Sequence, residues 1–138
     1  TEATLAGFDE AIMLTQDGFV SEGSGENLFM INDGVIITPP VSDNNLTGIT
    51  RDSAMEIAKR ELGIEVIEAR IRRSELYFAD EVFLTGTAAH IQAVGTLDNR
   101  QIGSGESGPI TNKINEIYQM AIRGQNLNYM DWCTAVSI

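Results

Sequence analysis

Three turn signals cut most of this chain into pieces too short for helices: Gln16-Asp17-Gly18, Asn32-Asp33-Gly34 and Asp98-Asn99. Asn, Asp and Gly tolerate the positive φ that a two-residue hairpin turn demands, so each signal joins two antiparallel strands. The flanking apolar runs supply those strands, at residues 11–15, 19–21, 27–31, 35–38, 93–97 and 100–102. Residues 64–69 and 81–85, with their β-branched and aromatic residues, add two more, and Pro39-Pro40 ends the strand-rich opening.

Helical periodicity is found in two stretches only. Over residues 51–62, Ala54, Ile57, Ala58 and Leu62 share a face, and Gly63 stands where a helix C-terminus favours positive φ. From Pro109, which suits a first helical turn, Ile110, Ile114, Ile117, Tyr118, Ala121 and Ile122 form a second face, closed by Gly124. Residues 74–78 make one short helical turn, 103–108 a glycine-serine loop, and 125–138 match no pattern. Hairpins interleaved with two amphipathic helices predict an α+β fold, a mixed barrel-like sheet with flanking helices, not a doubly wound parallel sheet. At 138 residues this is one domain with room for a substantial core.

Charge and composition remove several function classes. The net charge of −11 repels nucleic-acid phosphate and anionic membranes, so neither is expected as a partner. Any phosphate bound here has to be held locally, by backbone dipoles and hydroxyls. No apolar stretch approaches a membrane span, and the first residues lack a signal-peptide pattern. One cysteine, Cys133, and one histidine, His90, leave no metal-ligand cluster and no internal disulfide. A reduced, cytoplasmic setting follows as the expectation.

Three segments carry the chemistry. Ser21-Glu22-Gly23-Ser24-Gly25-Glu26-Asn27-Leu28-Phe29 sets small residues between carboxylates, a composition suited to backbone turning tightly past a ligand. Leu46-Thr47-Gly48-Ile49-Thr50-Arg51-Asp52 is a polar turn in which Thr50 can cap a helix starting near Arg51, where free N–H groups make an anion site. Phe83-Leu84-Thr85-Gly86-Thr87-Ala88-Ala89 ends a strand in small residues. Taken singly, each also fits a plainer role: a solvated glycine-rich turn, an ordinary helix cap and a strand-to-turn junction. A carboxylate and an anion cradle in one domain fit a ligand with a cationic ring and a phosphate, which describes pyridoxal phosphate.

Together the three segments resemble the fold-type IV pyridoxal-phosphate enzymes, and most closely the branched-chain amino acid aminotransferases. The resemblance runs from Gly7-Phe8-Asp9-Glu10-Ala11 to the last helix, leaving about the final dozen residues unmatched. It implies that Glu22 faces the ring nitrogen and keeps it protonated. It implies that Gly25, Glu26 and Asn27 flank the cofactor. Leu46 and Gly48 would contact ring and phosphate by shape, and the Ile49 and Thr50 amides with the Thr50 hydroxyl would hold the phosphate. Gly86 and Thr87 complete the cofactor contacts, and the Thr87 and Ala88 amides would take the substrate carboxylate.

The lysine that carries the cofactor is expected upstream of Thr1, since Lys59 and Lys113 sit in helical contexts that do not match it, so no catalytic residue is assigned within this chain. Residues 1–138 are then the cofactor-binding C-terminal domain of something longer. They would lack the N-terminal domain, be inactive alone, and belong to a homodimer or higher homo-oligomer. The implied reaction moves the amino group of leucine, isoleucine or valine to 2-oxoglutarate. A lyase on the same fold, such as an aminodeoxychorismate lyase, or a D-amino acid transaminase, would use the same cradle. Thr1 as an N-terminal nucleophile, or a plain binding domain, explains none of the three segments. His90 stands near a position where many relatives carry an acidic residue and is assigned to packing or surface, as are Trp132 and Cys133. Arg51, Arg72 and Arg73 are expected to be solvated or ion-paired.

Overall fold

The computed structural model describes residues 12–14, 18–23, 26–40, 48–86 and 90–123. Among these residues, nine strands and three helices follow in chain order. The first four strands are β1 (Ile12–Leu14), β2 (Val20–Gly23), β3 (Asn27–Asn32) and β4 (Val35–Thr38). Helix α1 (Ile49–Arg60), β5 (Val66–Glu68), the short α2 (Arg73–Leu76) and β6 (Glu81–Gly86) come next. The remainder is β7 (His90–Ala93), β8 (Thr96–Leu97), β9 (Arg100–Gln101) and α3 (Pro109–Ile122).

Five strands form one sheet in the order β5-β4-β3-β6-β7, with β4 and β5 parallel and the other neighbours antiparallel. The expected mixed sheet with flanking helices is therefore present. Among the described residues it is open and does not close into a barrel. Two small ladders, β1 with β2 and β8 with β9, complete the strand pairing.

Side-chain alternation along β3 and β6 explains why their sequences look continuously apolar, because both faces of the sheet are covered. Phe29, Ile31 and Phe83 point to one side and pack with Ala54, Ile57 and Ala58 of α1 and Ile114, Tyr118 and Ala121 of α3. Leu28, Met30, Val82 and Leu84 point to the other, against Val20, Ile71, Leu76, Ala79 and Ile102. Phe29 and Phe83 are register partners, and their rings stack with centroids 4.8 Å apart and planes 5° from parallel. Each such fully buried side chain contributes about 1.5–3 kcal/mol relative to exposure.

Local turn chemistry appears where the sequence placed it. Asp33 and Gly34 adopt φ of 51° and 75°, and Asp98 and Asn99 adopt 52° and 64°, the two-residue primed geometry. The first turn is fixed further by the Asp33 amide donating to Asp80 Oδ2 at 2.9 Å. The second is latched to α2: Asp98 accepts from the Tyr77 hydroxyl and from Arg73 Nη2, the latter at 2.7 Å. The Tyr77 hydrogen bond, then that of Arg73, holds the Asp98 carboxyl below the usual carboxylate range.

Several element boundaries differ from expectation. Helix α1 begins at Ile49, not Arg51, with Gly48 as its N-cap, and it ends at Arg60 ahead of Gly63, whose φ is +62°. The expected strand over 93–97 divides into β7, which starts at His90, and the two-residue β8; its partner β9 is also only two residues long. The Gln16-Asp17-Gly18 turn lies largely outside the described residues, and Gly124 and the tail lie wholly outside them.

Helix α3 starts at Pro109 as expected, but its cap comes from far away in sequence. Glu81, at the start of β6, accepts from the Thr111 amide at 2.8 Å and the Ile110 amide at 3.2 Å. A carboxylate there meets both the unpaired first-turn donors and the positive end of the helix. Gly108 makes room for it, since a Cβ at that position would lie 2.2 Å from the Glu81 carboxyl carbon.

Candidate cofactor site

The opposite end of β6 carries the candidate site. By the alternation that sends Phe29 and Phe83 toward the helices, Asn27 and Thr85 face the same way, and the two are register partners at the end of the sheet. Gly86 pairs with His90 across β6 and β7. The N-terminus of α1 sits over this edge. Its first helical bond is Asp52 N–H to Gly48 O at 3.1 Å, so the Ile49, Thr50 and Arg51 amides precede the ladder. No side chain among the described residues caps them.

Gly48 is required by close approach. A Cβ on it would come 2.6 Å from Asn27 Oδ1, which is itself buried. Gly48→Ala is therefore expected to displace Asn27 and destabilise the domain by about 1–3 kcal/mol. Urea unfolding measures this, and an unchanged midpoint would contradict the contact. Adding Asn27→Ala should recover part of the loss.

Thr50 does not cap the helix, contrary to the sequence expectation. It occupies the second helical position and is buried, and its hydroxyl lies 3.5 Å from Gly86 O and 3.4 Å from the Tyr118 hydroxyl. The physical reason is tertiary: α3 brings Tyr118 across, while Gly48 with extended φ and ψ takes the cap position. Against Tyr118 lies the His90 ring, with centroids 5.9 Å apart and planes at 48°. His90 holds a φ of +57°, uncommon for a residue with a side chain. Two buried polar atoms here, Thr85 Oγ1 and His90 Nδ1, have no partner among the described residues.

Several predicted site residues are brought together: Asn27, Gly48, Ile49, Thr50 and Gly86 share this edge. Ile49 contributes backbone only, its side chain being 87% exposed. Glu26 is half-buried just before β3, and Glu22 lies in β2 with its backbone opposite Met13. Gly25, Leu46, Thr87 and Ala88 lie outside the described residues. Lys59 and Lys113 are both exposed. Lys59 is about 15 Å along α1 from Ile49, and Lys113 lies just past the first turn of α3, the end of that helix capped by Glu81, so neither lies at this edge.

Sequence reasoning passed over Thr85 and Tyr118. The available signal for Tyr118 was a hydroxyl set into an otherwise apolar helical stripe. Arg51 was expected to be solvated or paired; it is paired and also buried, holding Glu68 at 2.7 Å and donating to Pro39 O at 3.3 Å. Arg73 is paired with Asp98, and the Arg72 guanidinium lies 5.2 Å from the centre of the Phe19 ring. Among the described residues no group of His, Cys, Asp or Glu is arranged to hold a metal, and no helix is long and apolar enough to cross a membrane.

Free helix-start amides beside a buried threonine hydroxyl form a donor set that fits a phosphate. Residues 1–96 match the family model for amino-transferase class IV, and the chain belongs to that family.

Three of its relatives share a more specific name. The chain is 53% identical over 136 residues to a probable branched-chain-amino-acid aminotransferase of Aquifex aeolicus, covering 99% of this chain and 44% of the relative. The branched-chain amino acid aminotransferase from Thermobaculum terrenum, in its PLP form, superposes with a TM-score of 0.96 at 38% identity, over 99% of this chain and 45% of that one. The branched-chain aminotransferase of the archaeon Thermoproteus uzoniensis, crystallised with norvaline, gives 0.91 at 47% identity, over 96% of this chain and 43% of that one. The chain thus spans less than half the length of the relatives it matches.

Proposed function

We propose that the intact protein is a branched-chain amino acid aminotransferase that uses pyridoxal 5'-phosphate to move the amino group of leucine, isoleucine or valine to 2-oxoglutarate. The observation that carries this reading is the α1 N-terminus, with its uncapped amides beside the buried Thr50 hydroxyl, in a chain whose relatives bear that name. The cofactor, when bound, supplies an electron-accepting ring that eases loss of the substrate α-proton.

This chain's residues bind and orient. The Ile49 and Thr50 amides and the Thr50 hydroxyl hold the phosphate, in a place where the helix end carries about half a positive charge. Leu46 and Gly48 contact the ring and phosphate by shape, and Gly25, Glu26, Asn27 and Gly86 flank the cofactor. Glu22 accepts a hydrogen bond from the ring N–H and keeps the proton on that nitrogen. Thr87 adds a second hydroxyl, and the Thr87 and Ala88 amides receive the substrate carboxylate. The covalent lysine lies upstream of Thr1, and part of the substrate pocket comes from an N-terminal domain, both outside residues 1–138. The working protein is a cytoplasmic homodimer or higher homo-oligomer.

The test is to assay the full-length protein with leucine and 2-oxoglutarate beside D-alanine and aminodeoxychorismate. Turnover of leucine, isoleucine and valine alone is the expected result, with none from purified residues 1–138. Preference for D-alanine or for aminodeoxychorismate would overturn the assignment.

A further inference from the structure

We infer that Tyr118 is a positioning residue for the anion cradle: its hydroxyl donates to Thr50 Oγ1 and so leaves the Thr50 proton for the bound phosphate. This rests on reading the α1 N-terminus as the phosphate site.

A threonine hydroxyl has one proton to give and lone pairs to receive with. Thr50 Oγ1 has two neighbours in reach, the Gly86 carbonyl oxygen at 3.5 Å and the Tyr118 hydroxyl at 3.4 Å. The carbonyl only accepts. With the Thr50 proton on the carbonyl, the Tyr118 hydroxyl has to be the donor to Thr50. Both contacts are at the long limit of hydrogen bonding, so the carbonyl is a weak claimant for that proton. A charged phosphate oxygen competes better, because charge-assisted bonds are about twice as strong. The Tyr118 bond then remains in place and polarises Thr50 as a donor.

The Tyr118 ring cannot easily turn away. It is buried in the same cluster as Ile114 and Ala121 on α3, and it packs beside His90. Phenylalanine would fill this apolar stripe as well as tyrosine. What the hydroxyl adds is a polar link from α3 to α1 at the cradle. Independently, the fully buried Thr85 hydroxyl, which has no partner among the described residues, belongs to the same edge.

The experiment titrates the full-length apoprotein with pyridoxal phosphate and with pyridoxal, which lacks the phosphate. Tyr118→Phe is expected to weaken pyridoxal phosphate roughly 3- to 10-fold, the worth of one modest hydrogen bond, while pyridoxal affinity stays unchanged. The ³¹P resonance of the bound cofactor should shift in the same variant. With Thr50→Val already present, Tyr118→Phe should add no further loss. Equal weakening of both ligands, an additive loss in the double variant, or an unchanged affinity ratio would each overturn the role of Tyr118. In any of those cases, a Thr50→Val variant that still loses phosphate discrimination leaves the cradle reading standing. If Thr50→Val alone spares the ratio, the cradle reading falls and the role of Tyr118 falls with it.

Discussion

Glu22→Gln in the full-length enzyme is expected to lower kcat for leucine about 10²- to 10³-fold, the usual consequence of removing one preorganised electrostatic partner from a developing charge. Glutamine still offers hydrogen-bonding atoms but has no negative charge with which to keep a proton on the ring nitrogen. The ground-state complex needs that charge less than the transition state does. Cofactor affinity should therefore fall less than kcat, by about 10-fold, the lower end for one charge-assisted hydrogen bond. Steady-state assays with leucine give the first quantity, and equilibrium titration of the apoprotein gives the second. An unchanged kcat would remove Glu22 from the role. Equal losses in both would make it a binding residue only.

The second large effect concerns stability. Glu81→Leu should cost about 2–4 kcal/mol, because it orphans the Ile110 and Thr111 amides and removes a negative charge from the start of α3. Thr111 is buried, so water cannot easily replace the lost acceptor there. Glu81→Gln should recover roughly half, since the amide oxygen still accepts one of the two bonds but without the charge. Urea denaturation of wild type and the two variants tests this. A loss under about 1 kcal/mol for the leucine variant would mean that the Glu81 carboxylate is not what secures α3.

The parts of the fold that the sequence disclosed are those fixed by local chemistry. Asn32-Asp33-Gly34 and Asp98-Asn99 announced their turns because the positive φ is a property of those residues themselves. Ala54, Ile57 and Ala58 announced the buried side of α1 by spacing, and all three belong to the core. What escaped was decided at a distance. Thr50 has the composition of a helix cap, and only the approach of Gly86 and Tyr118, 36 and 68 positions on, gives its hydroxyl other partners. Glu81 looked like the polar start of a strand, since nothing within that strand reveals a helix beginning about 30 residues later. The start of β7 was hidden by the short Thr87-Ala88-Ala89 stretch before it, which has no period to read. In the candidate site, Gly48, Ile49, Thr50, Gly86 and Asn27 were legible as a family pattern. Thr85 and Tyr118 were not, because a lone hydroxyl on an apolar face resembles ordinary core.

Strand β6 holds α3 by its first residue and meets Thr50 of α1 at its last. Glu81, Phe83 and Thr85 all face the helices, so the strand acts as a gauge block, its Glu81-to-Gly86 run setting the cap of one helix about 16–17 Å from the cradle at the start of the other. An inserted residue anywhere between Glu81 and Thr85 would turn every later side chain to the far face. Phe83 or Thr85 would leave the helix layer, and the Phe29 stack or the polar edge would go with it. Insertions and deletions should consequently be absent from this stretch in any working descendant of this chain.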